Sequence, residues 1–166
     1  MNFNKKNNRW RQTRQTRLAI VQSLYQMYFS KITLDEVSIQ FLNKGRVEIN
    51  FNEDVLDKKE QILFTKLDFF LFKSILNKIL IMHNDIEHLI VSYLYQHCFF
   101  RKLDLLIQII LLVGVSELLI GSAPPIVVIS EYVIISHGFF LGNREAFLIN
   151  GLLDGISKKI IVHAGN

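Results

Sequence analysis

The apolar stretch from Leu103 to Leu141 restricts the possible folds more than any other part of the chain. Its richest run, Leu105–Ile120, reads Leu-Leu-Ile-Gln-Ile-Ile-Leu-Leu-Val-Gly-Val-Ser-Glu-Leu-Leu-Ile and is apolar on every face of a helix. Such a helix has no side to turn to water, so other elements must wrap it or a bilayer must hold it. A spanning helix needs roughly 20 mostly apolar residues. This run is shorter and carries Gln108, Ser116 and Glu117; Pro124-Pro125 then breaks it and Glu131 interrupts the next apolar segment. The reading is a buried central helix, with a small membrane protein as the minority alternative.

The rest of the chain supplies amphipathic helices to wrap it. At 166 residues, half of them hydrophobic and only two of them proline, the chain is long enough to bury a core and too apolar to be disordered. A first helix is expected from about Arg9 or Arg11 to Phe29, with Leu18, Val21, Leu24, Tyr25 and Tyr28 on one side. Thr33 followed by Glu36 is the capping-box pattern for a short helix over 34–44. Residues 45–57 read as a loop and as the boundary between two halves. Ile62, Leu63, Leu67, Phe70, Leu71, Ile75, Ile79 and Met82 stand in register along a helix over 59–82, and Asp85 caps another over 86–95. After the central helix at 103–120 and a turn at 121–123, Pro125 suits the first turn of a helix reaching about Phe140. Asn143 opens the last, over 144–161. The β-branched run Ile126-Val-Val-Ile129 is also compatible with a strand, but no partner run exists, so the fold class is all-α.

Charge is distributed unevenly over this framework. Residues 1–34 hold seven basic side chains and no acidic one, leaving twelve basic and fifteen acidic for the remainder. A basic head points to a polyanion, most commonly RNA or DNA. Five histidines and the single Cys98 show no paired metal-ligand spacing, and no phosphate-binding loop, dinucleotide fingerprint or nucleophile elbow occurs. The expectation is a non-enzymatic protein without cofactor or metal, and the lone cysteine and polar N-terminus suit the cytoplasm.

Four segments together resemble the NusB family of bacterial transcription antitermination factors. Arg14-Gln-Thr-Arg17-Leu-Ala-Ile-Val-Gln22-Ser-Leu24-Tyr25 looks like its R-x-x-A-R-x-x-A-x-Q-x-L-Y opening. Arg101-Lys-Leu-Asp104 running on to Glu117-Leu118 follows its R-L-D…E-L helix. Pro124–Glu131 is similar to P-x-x-V-x-I-N-E, and Phe147-Leu-Ile-Asn150-Gly151-Leu-Leu-Asp154 to F-V-N-G-V-L-D. The resemblance implies about seven helices in two small subdomains, near 9–83 and 84–166 of a single domain over 9–166, after a flexible basic tail at 1–8. It also implies binding of boxA RNA together with the ribosomal protein NusE, within an RNA polymerase antitermination complex. The same helical module heads an rRNA cytosine methyltransferase, which is the other soluble alternative. This chain departs from the pattern at Ile107 and Gln108, where the family has an acidic-basic pair, and at Leu112, Ser116, Ile126 and Ser130.

The candidate RNA-binding residues are Arg9, Arg11, Arg14 and Arg17, with Phe147 and Asn150. Cations at a helix start oppose the macrodipole, and at about 100° per residue Arg11, Arg14 and Arg17 share the sector of Leu18, Val21 and Tyr25. Such a ladder is a phosphate clamp if the first turns overhang the helical body. Phe147 falls opposite the apolar stripe Ile149, Leu152, Leu153, Ile156 and Ile160, where an exposed ring stacks an unpaired base and a covered one packs on another helix. One extra residue in the last motif leaves either Phe147 or Leu148 at the family's aromatic position. Gly151 reads as a close-approach glycine, and Trp10 as a second stacking residue or a loose anchor. Tyr25 reads as core by pattern, although the resemblance places it and Ile107 at the NusE contact. Glu117 and Glu131, set in apolar helices, read as structural acceptors for a helix terminus or a basic group.

Overall fold

The computed structural model describes residues 3–33, 36, 37, 39, 67–94 and 99–164, without the side chains of 3–9 and 162–164. Five α-helices are defined among the described residues: α1 (Phe3–Ser30), α2 (Phe69–Val91), α3 (Leu105–Ile120), α4 (Pro125–Phe139) and α5 (Arg144–Ala164). A 3-10 turn, Phe100–Lys102, leads into α3. The class is all-α, and Ile126–Ile129 is helical. The loop expected at 45–57, most of the short helix at 34–44 and the start of the helix expected at 59 lie outside the described residues.

Helix α3 is the hub. Every residue from Ile109 to Leu118 is buried, and α1, α2, α4 and α5 all pack against it. Its polar interruptions are each satisfied locally or by a partner. The Gln108 amide donates to the Leu103 carbonyl at 2.8 Å, and the Ser116 hydroxyl to the Leu112 carbonyl at 2.6 Å. Asp104 caps the start by accepting from the Leu106 N–H at 2.8 Å. Gly121 ends the helix with φ +70°, a left-handed conformation that glycine adopts without steric cost, and its N–H donates to the Glu117 carbonyl. At Gly114 an added Cβ would meet both Leu153 methyls at 3.0 Å, so α3 and α5 approach closely there. Among the described residues, no helix is long and apolar enough to cross a membrane.

Some boundaries differ from the expected ones. Helix α1 begins at Phe3, so part of the segment read as a basic tail is helical. Leu67 and Asp68 are not helical; Asp68 caps α2 by accepting from the Leu71 N–H at 3.0 Å, while its own N–H donates to Thr16 Oγ1 of α1 at 2.9 Å. The helices expected to meet near 83–85 form the one element α2, kinked at Met82 (φ −118°, ψ 24°). The Thr33–Glu36 capping box is present: the Thr33 N–H donates to Glu36 Oε2 at 2.7 Å and the Glu36 N–H to Thr33 Oγ1 at 3.3 Å. The Thr33 N–H and hydroxyl, both donating to Oε2, hold the Glu36 carboxyl below its ordinary pKa.

Candidate nucleic-acid interface

Two of the ladder arginines turn inward. Arg17 is only 3% exposed; its Nε donates to Glu117 Oε2 at 2.9 Å and its Nη2 to Glu117 Oε1 at 2.6 Å. The same carboxylate accepts from Tyr132 Oη at 2.7 Å and from Ser122 Oγ at 2.6 Å. Arg14 makes a fork-to-carboxylate pair with buried Glu131, Nε to Oε2 and Nη2 to Oε1, both at 2.8 Å. Arg17 Nη1 lies 3.8 Å from Glu131 Oε2, which joins the two pairs into one network across α1, α3 and α4. Planar guanidinium and planar carboxylate match in this way because two parallel N–H bonds fit two oxygens.

The charges are mutually stabilised. Burial opposes ionisation of Glu117, but the hydrogen bond and charge of Arg17, with the Ser122 and Tyr132 hydroxyls, outweigh it and hold the carboxyl below its ordinary pKa. Burial likewise opposes the charge on Arg17, and Glu117 overcomes it, raising the guanidinium pKa. The hydrogen bond to Glu131 raises that of Arg14. Tyr132 is driven well above its ordinary value, first by burial and then by the adjacent Glu117 charge. Among the described residues every buried side-chain nitrogen or oxygen has a hydrogen-bond partner.

The overhang expected of the ladder therefore does not hold at Arg14 and Arg17. Helix α1 starts well before them, so the dipole penalty at a helix start does not apply, and the core sector that they share with Val21 contains carboxylates. Glu117 and Glu131 have the structural acceptor role expected of them, with the ladder as their donor. Arg11 is exposed, and the side chain of Arg9 lies outside the described residues. Trp10 is also exposed, with the Arg14 guanidinium 4.6 Å from its ring centre.

At the start of α5, Ile149, Leu152, Leu153 and Ile156 are buried and Phe147 is 73% exposed. Leu148 is partly buried against the core, so of the two candidate positions only Phe147 presents an exposed ring. Asn150 and Gly151 are exposed beside it. Among the described residues a Cβ added to Gly151 meets nothing within 4 Å, so no close approach there explains this glycine; that role belongs to Gly155, where a Cβ would lie 2.9 Å from Tyr93. Asp154, one turn on, pairs with Lys158 at 2.7 Å.

The two partner positions separate as well. Ile107 is 6% exposed and belongs to the core, so it offers no surface to a partner. Tyr25, which pattern reading put in the core, is 41% exposed and packs against Phe29 with ring centres 4.8 Å apart and planes tilted by 49°. It lines a groove of about 630 Å³ with Val21, Gln22, Phe29, Leu106 and Phe139. Sequence reasoning missed this groove because one wall comes from α1 and the others from α3 and α4, far along the chain from it.

Comparison with known proteins agrees with this architecture. The model of the NusB family matches residues 14–158. Similar sequences include the transcription antitermination protein NusB of Caulobacter vibrioides, 35% identical over 86% of this chain and 89% of that protein. The protein of the same name from Rhizobium rhizogenes is 31% identical over 87% of this chain and 84% of its own length. Among solved structures, T. maritima NusB superposes with a TM-score of 0.65 at 25% identity, covering 88% of this chain and 90% of that one.

Proposed function

This chain belongs to the NusB family, and from that premise we propose that it is a non-enzymatic RNA-binding adaptor of bacterial transcription antitermination. It binds boxA RNA of rRNA operons together with ribosomal protein NusE, in the cytoplasm, as part of the RNA polymerase antitermination complex. The observation that carries the RNA reading is the exposed Phe147, set opposite the buried residues Ile149, Leu152, Leu153 and Ile156 and flanked by Asn150 and a glycine that packing among the described residues does not require. An exposed ring beside open backbone is what a splayed base needs.

The cationic contribution comes from Arg11, Arg9 and the lysines before them. Arg14 and Arg17 hold α1 in place and contribute little direct phosphate contact. NusE docks on the Tyr25–Phe29–Phe139 groove, since the position that is acidic elsewhere in the family is the buried Ile107 here. The test is binding of labelled boxA RNA with and without the cognate NusE. Micromolar or tighter association that strengthens with NusE supports the reading, and no association with either partner refutes it. Each phosphate neutralised on a single strand contributes about −0.7 to the log–log salt slope, so two engaged cations give about −1.4. A Tyr25→Glu variant loses NusE while retaining RNA.

A further inference from the structure

We infer that Trp10 is a nucleobase-stacking platform, a second aromatic contact to single-stranded RNA that rests on the RNA-binding reading above. The ring is 52% exposed and is not among the side chains packed against the core. One of its faces lies against the Arg14 guanidinium, whose carbon is 4.6 Å from the ring centre. That guanidinium is itself fixed, because Nε and Nη2 are both engaged by Glu131, a carboxylate 1% exposed. The chain of constraint runs from the buried carboxylate through the arginine fork to the indole, one helical turn away. A ring seated on a guanidinium plane gains the cation–π attraction on one side and leaves the rest of its surface to solvent.

An indole left about half exposed is only partly used as a hydrophobic anchor. It is well suited to accept the face of an unpaired base, because the ring is already positioned and little side-chain freedom is lost on stacking. The surroundings suit the same ligand. Arg11 is exposed next to it, and Lys5, Lys6 and Arg9 precede it in a stretch without acidic residues. A phosphate of a bound strand would meet Arg11 while a base meets the ring. Trp10 thus accounts for an inward-turned Arg14 that still serves the surface: the arginine positions the platform.

Trp10 is the only tryptophan, so its emission reports on this ring alone. The experiment titrates the full chain with a short fluorescein-labelled single-stranded boxA-like RNA, following RNA anisotropy, with Trp10 emission followed in parallel using the unlabelled strand. Quenching over the same concentration range as the anisotropy rise is expected. Trp10→Ala is expected to weaken binding roughly 5- to 100-fold with an unchanged melting temperature, and Trp10→Phe to recover most of it. A duplex of the same sequence should leave the emission unaltered, because its bases are already stacked. RNA binding without quenching, with Trp10→Ala equal to the wild type, overturns the platform and leaves the RNA reading standing. Equal quenching by the duplex also overturns it. No anisotropy change with the wild-type chain defeats the RNA reading and the platform together.

Discussion

The middle turns of α1 and the first turns of α5 place their side chains in opposite ways. On α1 two arginines turn inward and end on buried carboxylates. On α5 a phenylalanine turns outward while the aliphatic residues around it fill the core. What decides between inside and outside is whether the fold provides a complementary partner, more than whether the residue is charged or apolar. Glu117 and Glu131 make the interior habitable for Arg17 and Arg14. Among the described residues, no complementary surface covers Phe147.

The largest effect expected from this contrast is loss of stability when the buried pair is broken. Arg17→Ala or Glu117→Ala leaves an uncompensated charge inside and should cost about 3–5 kcal/mol in chemical denaturation. A loss below about 1 kcal/mol would mean that the pair is open to water and that α1 resembles α5 after all. The pH dependence carries the same information. Because the folded pKa of Glu117 is depressed, its contribution is fully present above the unfolded carboxyl value of about 4.3. That contribution is lost as pH falls through the lower folded value. Glu117→Gln should therefore flatten the acid limb of the stability profile as well as lower it.

Arg14→Ala should have a smaller effect. It removes two charge-assisted hydrogen bonds from a carboxylate that is nearly inaccessible, but Glu131 keeps Arg17 Nη1 at 3.8 Å and Arg14 itself is partly open to water. A loss of about 1.5–3 kcal/mol is expected from the same denaturation experiment. The variant that would break the comparison is Arg14→Ala with unaltered stability and a large drop in RNA affinity, which would make this arginine a phosphate ligand.

Much of this architecture was legible in the chain because periodicity records burial. The all-apolar run at 105–120 announced the central helix, Pro125 the start of α4, and the stripe from Ile149 to Ile156 the inward face of α5. The same stripe put Phe147 on the opposite side of the helix but left open whether another element covers it. The pairing of Arg14 and Arg17 was not legible, although both halves were visible: the helical wheel put the arginines in the core sector, and two acids stood alone in apolar helices. Joining them requires knowing that α1 crosses α3 and α4, a contact between residues about a hundred positions apart. The groove at Tyr25 was hidden for the same reason. Asp68 was hidden because the apolar register of its helix continues through it, and only the cap geometry shows that the helix begins there.

Phe147→Ala tests the outward side. With 73% of the ring exposed, the melting temperature should stay where it is, whereas RNA affinity should fall by about 1–3 kcal/mol, the worth of one base–aromatic stack. Affinity unchanged in a titration with boxA RNA would leave the ring without a ligand role.

The smallest expected effect is the most discriminating between packing and function, because it sets two glycines of the same helix against each other. Gly155→Ala brings a Cβ to 2.9 Å from the Tyr93 ring, so the tyrosine must move and stability should fall. Gly151→Ala places its Cβ in open space on an exposed helical turn, and alanine is favoured over glycine there by about 0.5–1 kcal/mol. The protein should therefore become more stable by that amount in denaturant titration. A sequence that retains glycine where alanine is both allowed and stabilising is consistent with a backbone kept clear for something that approaches it. If RNA is what approaches, Gly151→Ala should raise stability and lower boxA affinity in the same molecule. A rise in stability with affinity unchanged would assign Gly151 no part in binding and confine the contact on α5 to Phe147 and Asn150.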